Sequence, residues 1–159
     1  MTHFLVLLLA LLIGVVAGLR ALTAPAVVAW AAALHWINLE GTWVQWLSHP
    51  VSVAILTVLA VGELVTDKLP KTPARTAAPS FAARLALGAF AGAVIGTAWA
   101  YTWSALGAGV IGAVLGTLGG YEARTRLAAS RGRDLPIALL EDGLAVAGGI
   151  AIAAFTAVV

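Results

Sequence analysis

The sequence predicts an all-α, polytopic transmembrane helical bundle of five or six membrane segments. Three observations carry that expectation. Of 159 residues, 62% are hydrophobic and only 10% are charged, whereas a soluble domain carries roughly a quarter charged residues. The mean hydropathy is +1.01. Apolar runs of helical length alternate with short stretches that gather most of the Lys and Arg. With ~20 residues needed per crossing, residues 1–159 form a single transmembrane domain.

Taken in order, the segments fall at about 4–19, 24–36, 51–66, 85–101, 105–121 and 136–158. The first apolar run ends at Arg20. It has no Lys or Arg before it and no persuasive small-residue cleavage site, so it reads as a retained helix rather than a secretory signal. Thr23 is a plausible N-cap for a helix restarting with Pro25 in its first turn. From Pro25 to Trp36 that helix covers about 18 Å, short of a hydrocarbon core of about 30 Å. Residues 4–36 therefore form either one kinked helix or two segments meeting at a break beside Arg20. Residues 38–50 make a polar loop without Lys or Arg. Residues 67–84 and 122–134 make two basic loops, and a short turn at 102–104 joins the fourth and fifth apolar runs.

The basic loops orient the chain. Loops 67–84 and 122–134 are expected on the cytoplasmic side, with loop 38–50 and turn 102–104 outside. Trp36, Trp43, Trp46, Trp99, Tyr101 and Trp103 all fall at the proposed outer interface, where an aromatic belt belongs. A net charge of +2 with clustered basic residues fits loops beside anionic lipid. No basic patch interleaved with aromatics indicates a nucleic-acid partner.

Small residues recur at helix spacing. Gly88, Gly92 and Gly96 make one stripe, and Gly112, Gly116 and Gly120 another, with Gly14 and Gly18 a shorter version. Such stripes let helix backbones approach closely, within the chain or between subunits of a homo-oligomer. Faint similarity between residues 14–24 and 116–126 suggests a weak internal duplication, a common feature of transporters.

Ionisable residues inside apolar segments are costly and mark candidate sites. Glu63 and Asp67, four apart, share a helical face, and Lys68 follows directly. Arg20, Glu63, Asp67, Glu122, Arg124, Glu141 and Asp142 all map to one level of this topology. They either neutralise one another, with Arg20 paired to Glu63 or Glu141, or line a path for an ion or small charged solute. A helix starting near Thr23 would aim its positive end at this level and favour an anion, while the carboxylates favour protons or cations. Catalytic machinery is not indicated. Cysteine is absent, no G-x-S-x-G occurs, and the three His are scattered without metal-ligand spacing. We expect neither metal nor cofactor, and partners limited to the bilayer, further copies of the chain and a small ion or solute.

The segments GLRALTAPAVVAW, ELVTDKLPKTP and LPIALLEDGLAVAGG resemble the signature segments of the domain of unknown function 4126 family. Its members are small integral membrane proteins of bacterial and plastid type. The resemblance runs over nearly the whole chain, and E-x-x-x-D-K-x-P and L-L-E-D-x-L-A-V are its most specific parts. Where many relatives continue with an acidic stretch, residues 71–76 read KTPART, a more basic loop. The resemblance implies a multi-pass protein of the bacterial inner or cell membrane and brings no activity with it. On the residues, the expectation is a small channel or transporter, or failing that an oligomerising scaffold or anionic-lipid-binding protein.

Overall fold

A computed structural model describes residues 1–67, 77–131 and 134–158. The described residues form six α-helices and one turn of 3-10 helix, with no strand. The helices are α1 (His3–Leu19), α2 (Thr23–Ala33), α3 (Pro50–Thr66), α4 (Ala78–Thr97), α5 (Thr102–Arg131) and α6 (Asp134–Thr156), and the 3-10 turn is Gln45–Ser48. Three stretches are long and apolar enough to cross a membrane: Ala78–Thr97, Thr102–Leu127 and Ala138–Thr156. The remaining three helices are apolar but shorter.

Helices α1, α4 and α5 pack tightly on one another and make the rigid centre. The glycines are the reason. A Cβ on Gly14 would lie 2.2 Å from the carbonyl oxygen of Gly109, and one on Gly112 would lie 2.0 Å from that of Leu11. Gly92 faces the backbone of Ala105 and Gly109 in the same way. Without side chains at these positions the backbones touch, and dispersion contacts replace the missing volume. These glycines thus serve packing inside one chain. Gly107 and Gly119 look onto open space.

The chain breaks, rather than kinks, beside Arg20. Helix α1 ends at Leu19, Arg20 is extended (φ −141°, ψ 107°), and α2 begins at Thr23. Val16 and Val27 both sit beside Gly149, so α2 runs back alongside the end of α1 as a hairpin. Residues 34–49 then fold over the far end of the bundle, where Trp43 Nε1 donates to Thr97 Oγ1 at 3.2 Å. The rings of His3 and Tyr101 meet at that same end, tilted at 42° with centroids 4.4 Å apart.

Helices α3 and α6 lie at the periphery. α3 packs on α2 and buries only Val53 and Ala60, while α6 touches α1, α2 and α5. The two barely meet each other.

Several element boundaries differ from the sequence expectation. The turn joining α4 to α5 is residues 98–101, with Ala100 at φ +61°, and residues 102–104 are already helical. Residues 122–131 continue α5 rather than forming a loop, because Glu122, Arg126 and their neighbours are good helix formers and Glu122 pairs with Arg126 one turn on. Arg84 lies within α4, not in a loop, since Pro79 starts that helix early. The two faintly similar segments do not share a conformation. Residues 14–24 contain the break, whereas 116–126 lie inside the uninterrupted α5.

Candidate functional site: a buried charge cluster at the helix break

The break leaves helix ends inside the bundle, and every such end exposes backbone groups that need partners. Helix α2 has no side-chain cap of its own: its N-cap is Leu22, and Thr23 makes no capping bond. The carboxylate of Glu63 supplies what is missing. Oε1 accepts from the N–H of Ala21 and Oε2 from the N–H of Leu22, each at 2.8 Å. The positive end of α2 is therefore already met by a carboxylate of this chain, a favourable placement for negative charge. Thr23 is 3% exposed and its hydroxyl has no hydrogen-bond partner.

The end of α1 is closed by Arg84, whose Nη1 donates to the carbonyls of Gly18 and Leu19, both at 2.9 Å. Thr117, fully buried on α5, donates to Ala113 at 2.8 Å and lies 3.3 Å from the Gly18 carbonyl. Arg84 and Thr117 were not singled out by the sequence. Arg84 carried one signal, a lone cation in an Ala- and Leu-rich helix just past Pro79.

Arg20 holds the centre with no exposed surface. Its Nε donates to Asp142 Oδ1 at 2.6 Å, and Nη2 stands 2.5 Å from the same oxygen without hydrogen-bonding alignment. Its Nη1 donates to Asp67 Oδ2. Arg84 Nη2 lies 4.0 Å from that Asp67 oxygen, so Asp67 is shared between two guanidiniums. Arg20 is thus paired with Asp67 and Asp142, not with Glu63 or Glu141, because Glu63 is occupied by the backbone of α2. Glu141 is buried next to Asp142.

Glu122 does not join the cluster. It is exposed and bonded to Arg126 at 2.8 Å. Arg124 is half-buried further along α5. Lys68 lies outside the described residues. Of the stripe glycines, Gly88, Gly92, Gly96, Gly112 and Gly116 all face neighbouring helices closely, and Gly120 follows one turn on in α5. Among the described residues no group of three or more His, Cys, Asp or Glu could hold a metal ion.

The cluster lies nearer one end of the bundle: Arg84 is about 9 Å from the start of α4 and ~20 Å from its end, and Asp142 about 12 Å from the start of α6. Beside it, a cavity of about 400 Å³ opens between α2, α3 and α6, lined by Val27, Trp30, Ala60, Leu64, Val146 and Ile150 among others. At its edge Trp30 Nε1 donates to Thr57 Oγ1 at 3.0 Å, and Thr23, whose hydroxyl has no partner, also lines it.

Comparison with known proteins adds one likeness. A sequence profile of the glycine zipper 2TM domain matches residues 84–124, about a quarter of the chain. The matched stretch runs from Arg84 in α4 through the close-packed glycines into α5. Together with three long apolar helices, it fits a membrane-associated protein. It also corrects the resemblance to the domain of unknown function 4126 family, since the profile that matches is the glycine zipper one. Ala-, Gly- and Leu-rich helix ends give short segments many chance likenesses, whereas glycines at a fixed helical spacing are a more constrained pattern. No curated protein and no solved structure matches the chain.

Proposed function

We propose that this chain is a multi-pass membrane protein that binds and moves an ion or small charged solute at the Arg20 cluster, as a channel or transporter. One observation carries the reading. Arg20 is fixed to the rigid α1–α4–α5 core, and its two carboxylate partners, Asp67 and Asp142, come from the two loosely packed helices α3 and α6. Separation of either peripheral helix from the core exposes a buried charge that a solute can satisfy. Broken helices with ionisable residues at the break are a recurring way to build such a site.

In this reading all six helices enter the bilayer. The Lys and Arg of segments 67–84 and 122–134 support a cytoplasmic placement of the Arg20 end. The scaffold alternative is weaker, because the glycines that motivated it are used against helices of the same chain. Self-association is left to the outward apolar sides of α3 and α6.

The test is flux through purified protein in liposomes against a panel of inorganic ions and protons. Wild-type flux that disappears in Asp142→Asn and Glu63→Gln, with both variants folded and monodisperse, supports the reading. Flux unchanged in both variants, or absent from well-folded wild type across the panel, sinks it.

A further inference from the structure

The cavity between α2, α3 and α6 has no part in the pairing just described. Its volume, about 400 Å³, is within the range of ligand sites. Among the described residues no charged side chain lines it, and its walls are hydrocarbon and indole apart from Thr23 and Thr57. The Thr57 hydroxyl is engaged, accepting from Trp30 Nε1 at 3.0 Å and donating to the Val53 carbonyl at 2.7 Å. A buried water needs two or more polar partners, so these walls suit a hydrocarbon chain better than water. Thr23 is the exception, almost wholly buried with its hydroxyl lacking a partner. Threonine in a helix divides between two side-chain rotamers, so an oxygen brought to this wall can recruit that hydroxyl.

The cavity is long and open on one side. Glu63 bonds the amides of Ala21 and Leu22, which sets Leu64 beside Thr23, and seven residues away on both helices Trp30 is bonded to Thr57. On α6, Asp142 meets Arg20 and Gly149 meets Val27, so Val146 and Ala153 follow the same two levels. Seven helical residues span ~10 Å, and the slot therefore runs parallel to the helices over that length. Trp30, Val61 and Ile150 line it yet remain about half exposed, and α3 and α6 barely meet. The mouth thus opens sideways between α3 and α6. With these helices in the bilayer it faces hydrocarbon, where lipid chains are what it meets. A charged group drawn inside would lack a counter-charge on the walls, which is costly, so the part of the lipid that enters is neutral.

We propose that this cavity takes up one uncharged single-chain lipid from the bilayer, its chain along α2 between α3 and α6 and its hydroxyl or carbonyl oxygen at Thr23. The inference shares with the proposed function the placement of these helices in the bilayer and uses no ion movement. The test is photolabelling of the full chain in phosphatidylcholine liposomes with a diazirine-bearing dodecanol, the labelled residues mapped by mass spectrometry. Saturable labelling of α2, α3 and α6 within the slot is expected. Excess dodecanol should compete at least tenfold better than dodecyltrimethylammonium or dodecyl phosphate. Thr23→Val, which keeps the side-chain shape, should weaken the apparent affinity about two- to tenfold, the worth of one net hydrogen bond. Ala60→Trp, which fills the slot, should abolish it. Labelling that does not saturate, or that spreads evenly over the outward sides of α3 and α6, overturns the inference. So do equal competition by the charged analogues, unchanged affinity in folded Thr23→Val, and labelling of the slot that survives in folded Ala60→Trp. Ion flux without slot labelling removes this inference and leaves the proposed function standing, whereas slot labelling without flux of any ion does the reverse.

Discussion

Arg20 and Asp142 are 122 residues apart in sequence, yet Arg20 Nε donates to Asp142 Oδ1 at 2.6 Å inside the protein. That bond ties α6 to the break between α1 and α2, and Asp67 ties α3 to the same guanidinium. A single side chain therefore connects the rigid core to both peripheral helices. The charge stays buried because two carboxylates replace the water it has lost.

Truncating Arg20 should be among the most damaging changes in the protein. Arg20→Met removes the guanidinium that Asp67 and Asp142 share, and breaking a buried pair costs about 3–5 kcal/mol. Asp67→Asn or Asp142→Asn in the same chain should restore part of the loss. Thermal unfolding in detergent gives the double-mutant cycle. Additive losses, with no coupling above about 0.5 kcal/mol, would refute the pairing.

Glu63 acts on a different atom set, and its variant should show it. Glu63→Gln keeps one carbonyl oxygen and loses the second acceptor, so only one of the Ala21 and Leu22 amides stays bonded. Amide hydrogen exchange should speed up at residues 21 and 22 while α1 and α5 stay protected. A stability loss of about 1–2 kcal/mol is expected. Unchanged exchange at both amides would mean that Glu63 does not cap α2.

How much of this was legible in the sequence follows from how far each interaction reaches. Helix positions and the glycine stripes depend on neighbours within a turn or two, and local spacing reports them, whereas a break and a kink beside Arg20 read alike in sequence. The length of α5 was missed because charged residues such as Arg124 and Arg126 read as loop in an apolar chain, though they are sound helix formers. The level of the charges was legible too, since an apolar chain has few places to put them. Which charge meets which was not. Glu63 pairs with backbone amides, which carry no residue identity, so no pattern of side chains could announce it. Once Glu63 is occupied in that way, Arg20 is left to Asp67 and Asp142. Arg84 was hidden by its assignment to a loop, and only the chain's return past the end of α1 gives it two carbonyls to close.

The glycines provide a test with an internal control. Gly112→Ala would place a methyl 2.0 Å from the Leu11 carbonyl oxygen and Gly14→Ala one 2.2 Å from that of Gly109, where backbone must move. Each should destabilise the fold by about 1–3 kcal/mol or more, the usual range for overpacking. Gly107→Ala and Gly119→Ala meet nothing within 4 Å and lie in the same helix as Gly112. They should be neutral or stabilising by up to about 1 kcal/mol, because alanine is the better helix former. The comparison separates packing from propensity, since Gly112, Gly107 and Gly119 share one helix and one substitution. If all of them shift the unfolding midpoint alike, close contact between α1 and α5 is not what the glycines supply.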